Sequence, residues 1–240
     1  TTGTAHTDLD YFRANNTGYG LLIHYDTRDK ANSYYNKYLL EYSPSVRLLI
    51  KTLVNYNFHR VSIYNQADFT GYHKDRNESG ASIGFHYSLK NNLSAFLLVR
   101  EEYVDRRFTP LMPSTGIEWQ PFKRFPVNVR ANFTRNYHQP TLNDLYWIPG
   151  GNPDLKPEEG YTADLGMDYI LAVESLFKLT TGLTGYMSYI NDWIIWQPGA
   201  FRDWTAENLK TVFARGIEYN LNAAYNRQKW SFAFIGNYTY

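Results

Sequence analysis

Six histidines, two adjacent glutamate pairs and a scatter of aspartates are the side chains in this sequence that could ligate a metal or move a proton. His6, His24, His59, His73, His86 and His138 are spread along the chain, and none falls in an HExxH or similar ligand spacing. His73, close to Asp75 in a polar stretch that reads as a loop, could touch a metal or haem but is more simply a solvated histidine. Glu101–Glu102 and Glu158–Glu159 are sequence neighbours, so in an extended chain their carboxylates point to opposite sides and make poor acid–base dyads. There is no GxSxG nucleophile turn and no phosphate loop. Asp203 and nearby carbonyls could hold Ca²⁺ only if their oxygens converged in space. Nothing here reads as an enzyme, and no metal or cofactor is expected. What remains are large amphipathic and basic residues in polar stretches: Tyr146, Trp147, Trp196, Arg202 and Trp204. Such side chains bind flat ligands by stacking and cation–π contact, and the tryptophans equally suit a belt at a membrane interface.

Composition narrows the scaffold that must position them. Hydrophobic residues are 43% of the chain and aromatics 18%, with 22 Tyr, 14 Phe and 6 Trp. Tyr and Trp suit places where one end of a side chain is dry and the other wet. Mean hydropathy is -0.50, and no run approaches the length of a spanning helix; Leu48 to Val54 is interrupted by Lys51. A net charge of +1 lacks the basic excess of a nucleic-acid binder. The chain has no Cys, which removes thiol chemistry, Cys-based metal sites and disulfides. The start, Thr1-Thr2-Gly3-Thr4, carries neither an initiator Met nor a secretory signal, and leads us to expect a mature, truncated chain or an internal fragment.

Helical periodicity is nearly absent and period-two alternation recurs. Val127, Val129, Ala131 and Phe133 oppose Asn128, Arg130, Asn132 and Thr134. Leu165 and Met167 oppose Asp164 and Asp168; Leu183 opposes Thr184; Leu221 opposes Asn220 and Asn222. Soluble sandwiches alternate too, but these segments run for about ten residues or more, the length a tilted strand needs to cross a bilayer. Their polar faces carry Arg130, Asp164, Asp168, Lys178 and Glu218 in mid-segment, which suits a wet lumen.

Short turns are expected at Ser43 to Ser45, Lys90 to Asn92, Pro121 to Pro126, Ala172 to Ser175 and Asn226 to Lys229. Long polar loops are expected at Val61 to Glu78, Asp105 to Pro113, His138 to Glu159 and Gln197 to Glu207, with Asp26 to Ser33 a shorter member of that set. Outer-membrane barrels keep this rhythm of short periplasmic turns and long extracellular loops. Trp119, Phe122 and Phe125 surround one short turn, while Tyr146, Trp147, Trp193, Trp196 and Trp204 lie toward the long-loop end, as two aromatic girdles would place them. The fold class expected is all-β: an antiparallel transmembrane meander of about eleven strands, with Leu9 to Tyr25 ambiguous because Asn15-Asn16-Thr17-Gly18 reads as a turn.

The stretch Asn132 to Gly160, NFTRNYHQPTLNDLYWIPGGNPDLKPEEG, resembles the strongest motif of TonB-dependent receptor barrels. The matching residues run from Pro140, Thr141, Leu142, Asn143, Asp144, Leu145 and Tyr146 to Gly151, Asn152, Pro153, Asp154, Leu155, Lys156, Pro157 and Glu158. Arg100 to Tyr103 followed by Pro113 to Trp119, and Glu207-Asn208 followed by Ala214 to Glu218, are similar to the same family. The resemblance covers roughly Arg100 to Tyr240; earlier residues fit by pattern only. The motif is also legible physically: Pro140, Pro153 and Pro157 cannot donate to a ladder, Gly150 and Gly151 permit unusual backbone angles, and Asn152 and Asp154 favour tight turns. Its role reads as chiefly structural.

The resemblance implies a partial barrel, residues 1–240, of a closed barrel of about 22 strands, with a plug domain and terminal strands outside this chain. It implies an outer-membrane receptor of a Gram-negative bacterium that binds a scarce siderophore, haem, cobalamin or glycan and imports it with TonB-supplied energy. Its partners would be outer-membrane lipid, the TonB complex acting through the plug, the ligand, and a surface lipoprotein, with no nucleic acid. A passive porin or structural barrel is the alternative, disfavoured by the NPDLKPE-type motif.

Overall fold

The computed structural model describes residues 1–17, 20–173, 176–199 and 204–240. The strands are β1 (Thr2–Thr17), β2 (Gly20–Ser45), β3 (Leu48–Asn65), β4 (Thr70–Lys90), β5 (Leu93–Val104), β6 (Arg107–Phe108), β7 (Met112–Trp119), β8 (Val127–His138), β9 (Glu158–Val173), β10 (Phe177–Pro198), β11 (Trp204–Arg227) and β12 (Trp230–Thr239). One short helix, α1 (Leu142–Tyr146), lies between β8 and β9. All strands join one antiparallel sheet in sequence order, with the two-residue β6 hanging off β5, so the main path has the expected meander of eleven. β1 and β12 are the two ends of that path, and the sheet is open.

Alternation along each strand separates the sheet into two chemically distinct faces. Cross-strand register aligns Trp119, Val129, Met167, Leu183 and Tyr219 in one row, and Ile117, Ala131, Leu165, Gly185 and Ile217 in the next on the same face. Between them, on the opposite face, runs Glu118, Arg130, Gly166, Thr184 and Glu218. Among the described residues the apolar face has no second layer against it: Leu165 is 61% exposed and Met167 51%. Among the described residues the buried apolar side chains are Val104, Met112, Leu155 and Ala206. A soluble sandwich would bury such a face against a second sheet.

The polar face is cross-linked. Arg130 pairs with Asp168 and donates to Thr184 Oγ1 at 3.1 Å. Asn132 donates to Asp164 at 2.8 Å, and Asn128 to Glu118 at 2.7 Å. Glycine makes room for this: a Cβ on Gly166 would lie 2.9 Å from Arg130 Nε. On the apolar face, Tyr34 and Tyr42 of β2 and Tyr161 and Tyr169 of β9 are each eight residues apart, about 27 Å along a strand. Phe133 and Tyr161 stack with ring centroids 5.8 Å apart at the long-loop end.

Loop positions follow the expected rhythm, but several boundaries move. Asp26 to Ser33 is not a loop: it lies inside β2, paired to β1 on one side, and from Thr27 to β3 on the other. Asn15 to Thr17, expected in a turn, are instead strand residues of β1 paired to Leu22, Leu21 and Gly20; Gly18 is outside the described residues. Val61 to Glu78 shrinks to the stretch 66–69, because β3 and β4 pair from Asn65 and Thr70 downward. His73 is therefore a strand residue opposite Ser62, 4.0 Å from Asp75, rather than a loop residue. The turn expected at Ser43 to Ser45 falls after Ser45, as β2 continues to that residue. Ala172 to Ser175 and Gln197 to Glu207 lie partly outside the described residues, as does Asp203.

Candidate functional site

β8 stops at His138, and residues 139–157 cross to β9 over the long-loop end of the polar face. Pro140 is wholly buried at the start of the crossing. Its carbonyl accepts from Arg76 Nη1 at 2.8 Å, while Arg76 Nε binds Asp105 at 3.0 Å. Arg76 is itself buried, so β4 holds the crossing through a nearly dry guanidinium. Thr141 then caps α1 in a capping box: its hydroxyl accepts from Asp144 N at 3.1 Å, and its own N–H donates to Asp144 Oδ2 at 2.8 Å.

Asp144 is the hinge pin between the two sides of the site. Its Oδ1 accepts from the Trp196 indole of β10 at 2.8 Å, and its carbonyl accepts from Asn152 N at 2.7 Å. Burial alone would raise this carboxyl, but the bonds from Thr141 and Trp196 outweigh it and hold it below its ordinary value. On the β4 side, Tyr72 donates its hydroxyl to Asn143, its ring sits 6.0 Å from that of Tyr146, and Lys74 Nζ lies 4.4 Å from the Tyr146 centroid. Burial, then the Asp29 charge, pushes the Tyr72 phenol up to about 12, so it stays a donor at any physiological pH.

The second half of the crossing is clamped to β10 and β11. Ala206 N donates to Gly150 O at 2.8 Å, and Asn152 Nδ2 to Ala206 O at 3.3 Å. Asn208 accepts from Lys156 N at 2.9 Å and donates to Lys156 O at 3.0 Å. Glu158 Oε1 accepts from Ile194 N at 2.8 Å. Gly150, at φ +110°, presses against the Trp204 carbonyl where a Cβ would not fit.

Beneath the crossing is a cavity of about 750 Å³. Its floor carries His59, Glu78, Arg100 and Glu102 from the polar face, and its roof is Thr141, Leu142 and Asn143. His59 Nε2 is 3.6 Å from Glu78 and Arg100 is 3.6 Å from Glu102, while Asp29 Oδ1 and Arg76 Nη2, also on the lining, are buried without a hydrogen-bond partner. Such a chamber offers paired charges, imidazole and carboxylate acceptors to a polar molecule of some size. No group of three or more metal-ligating side chains is found among the described residues.

The structure places the sequence-derived candidates unequally. Tyr146 is in the crossing with its ring already engaged by Tyr72 and Lys74, and Trp196 spends its indole N–H on Asp144. Trp147 is half-buried at the end of α1, and its N–H donates to Asn143 O at 3.0 Å. Trp204 is 57% exposed at the start of β11, opposite Pro198, and is not among the residues lining the cavity. Arg202 lies outside the described residues. Leu142 roofs the cavity, Leu155 is buried, and Asn152 and Glu158 are clamps; Pro140, Pro153 and Pro157 interrupt the ladder, and Leu145 N–H closes onto Thr141 O at 3.2 Å. Arg76, Tyr72 and Glu78 were not singled out from sequence, and they sit in a region without a motif; Glu102 was weighed only as half of an adjacent glutamate pair.

A family model described as "TonB dependent receptor-like, beta-barrel" matches residues 1–240. A vitamin B12 transporter, BtuB, of Photobacterium profundum is 35% identical over 97 residues, covering 38% of this chain and 15% of that protein. BtuB of Vibrio vulnificus is 28% identical over 156 residues, covering 63% of this chain and 24% of that protein. The chain thus spans less than a quarter of these curated relatives. Among solved structures, the ferric enterobactin receptor PfeA of Pseudomonas aeruginosa superposes with TM-score 0.70 at 12% identity, covering 98% of this chain and 40% of that one. The Serratia marcescens hemophore receptor HasR gives TM-score 0.67 at 14% identity, covering 92% and 42%.

Proposed function

This chain belongs to the TonB-dependent receptor β-barrel family, and from that premise we propose that it is part of a Gram-negative outer-membrane receptor that captures a scarce ligand at its extracellular mouth and imports it. The observation that carries this reading is the 139–157 crossing, fixed to β4 at one end and to β10 and β11 at the other, roofing a charged chamber on the polar face. A passive pore has no use for a rigid roof over its mouth. In the full protein a plug domain fills the polar face, and TonB acts through that plug. The two vitamin B12 transporters among its relatives support a corrinoid as the ligand class. A corrin ring with amide arms suits a chamber that offers carboxylate, imidazole and guanidinium groups. The protein acts as a receptor and transporter, not as a catalyst.

The test uses the full-length receptor in a Gram-negative host lacking its own vitamin B12 receptor. Uptake of labelled cyanocobalamin that ceases when the proton gradient is collapsed supports the reading. Uptake indifferent to the gradient indicates a passive pore. Gradient-dependent uptake of a ferric chelate but not of cyanocobalamin keeps the importer and removes the corrinoid.

A further inference from the structure

Two buried atoms on the lining of the chamber have nothing to bond to. Arg76 donates Nε to Asp105 and Nη1 to the Pro140 carbonyl, but its third nitrogen, Nη2, has no acceptor, and the side chain is only 7% exposed. On the same lining, Asp29 Oδ1 has no donor. Neither position belongs to a free edge of the sheet. Asp29 lies in β2 between Leu9 of β1 and Ile63 of β3. Arg76 lies in β4 opposite His59 of β3, and on its other side Asp105 N donates to the carbonyl of the next residue, Asn77, at 3.1 Å. Strands on both sides and the roof above therefore bury these atoms. Tyr72 lies within reach of both charges: after burial, the Asp29 charge raises its phenol and the Arg76 charge lowers it. Folded proteins leave few buried polar atoms unpaired, and each one calls for a partner.

We propose that this part of the chamber is a subsite for a primary carboxamide arm of the imported ligand, its carbonyl oxygen accepting from Arg76 Nη2 and its N–H donating to Asp29 Oδ1. The unpaired atoms are one donor and one acceptor, and a carboxamide carries an acceptor and two donors on separate atoms. A carboxylate arm would satisfy Arg76 but meet Asp29 as a like charge, and an ammonium arm would satisfy Asp29 but meet Arg76. A hydroxyl would have to reach both partners from a single oxygen. The neutral amide serves both and adds no charge to a guanidinium that Asp105 already neutralises. Asp29 and Arg76 are then specificity-determining residues. The subsite rests on the corrinoid reading above, because the arms of a corrin end in carboxamides.

The experiment measures equilibrium binding of cyanocobalamin, and of its monocarboxylic acids in which single carboxamide arms are replaced by carboxylates, to the purified full-length receptor. For the arm in the subsite, wild type should prefer the amide to the acid about tenfold, the worth of a charge-assisted contact. Asp29→Asn removes the like charge and keeps Arg76, so the preference at that arm should vanish or reverse, while acids at the other arms keep their wild-type ratios. Arg76→Gln in the Asp29→Asn background should weaken that same acid again. Heat-modifiable gel migration checks assembly. Should the double variant fail to assemble, the ratios on wild type and Asp29→Asn still decide, since each compares two ligands on one protein. Amide-to-acid ratios that are the same on wild type and Asp29→Asn at every arm overturn the subsite alone and leave the two atoms to buried water. No binding of cyanocobalamin to assembled wild type overturns the corrinoid reading and the subsite with it.

Discussion

Asp144 gathers more of the site than any other residue, taking bonds from Thr141 on its own turn and from Trp196 on β10. Its carboxyl titrates below its ordinary value of 3.8 in the folded protein. The stabilisation it gives the crossing is therefore full above that value and is lost as pH falls through the depressed folded value. Protection factors of the 141–146 amides, which correct for the intrinsic pH dependence of exchange, should be flat across neutral pH and fall only under acid, and Asp144→Asn should lower protection at neutral pH and abolish the acid step. Arg76 makes a second, harder prediction. Arg76→Met would strand the Pro140 carbonyl and the Asp105 carboxylate; with Asp105 44% exposed, solvent softens the cost to about 1–3 kcal/mol. The same amides report it, and protection unchanged from wild type would remove Arg76 from the anchoring of the roof. For ligand contact, Trp204→Ala should weaken cyanocobalamin binding on whole cells with normal assembly, because more than half of its surface is exposed. Trp196→Phe should instead loosen the crossing first.

At the scale of elements, the crossing was legible where its residues dictate backbone and illegible where they dictate partners. Three prolines and two glycines mark where a ladder must stop, and β8 does stop at His138. The grip of Arg76 on Pro140 and of Tyr72 on Asn143 spans 64 and 71 residues of chain, and no local spacing encodes such contacts. Strand lengths failed for a related reason. Asp26 to Ser33 lacks an apolar face and so reads as a loop, yet Arg28 and Lys30 pair with Asp10 and Asp8 at 3.4 and 3.6 Å across the β1–β2 ladder. A hairpin extending past the apolar band needs cross-strand charge rather than lipid-facing side chains to hold its register. Gly150 ties backbone angle to element position: Gly150→Ala must abandon φ +110° or push back the Trp204 carbonyl, at a cost of about 1–3 kcal/mol. Limited proteolysis of the assembled receptor should then cut within 147–157, where wild type resists.

For the whole molecule, the decisive property is an apolar face against which none of the described residues pack a second layer. Leu165, Met167 and Leu183 alternate with Asp164, Asp168 and Thr184, and register carries the division across β7 to β11 without a slip. Lys178 and Glu218 fall on the polar side and Leu221 on the apolar side, as alternation requires. A soluble sheet with this much open hydrocarbon would aggregate; lipid makes the same surface stabilising. The two faces should therefore respond oppositely to one substitution. Leu183→Arg puts a guanidinium into hydrocarbon near the middle of the apolar band and should cost about 2–4 kcal/mol of folding in lipid vesicles. Asn222→Arg, on the polar face of the adjacent strand, should cost well under half of that, since the guanidinium enters the wet side. Urea titration of the full-length barrel in vesicles, read by tryptophan fluorescence, measures both. Equal losses would mean that the two faces are solvated alike, and the apolar face would then need a protein layer rather than a membrane to explain it.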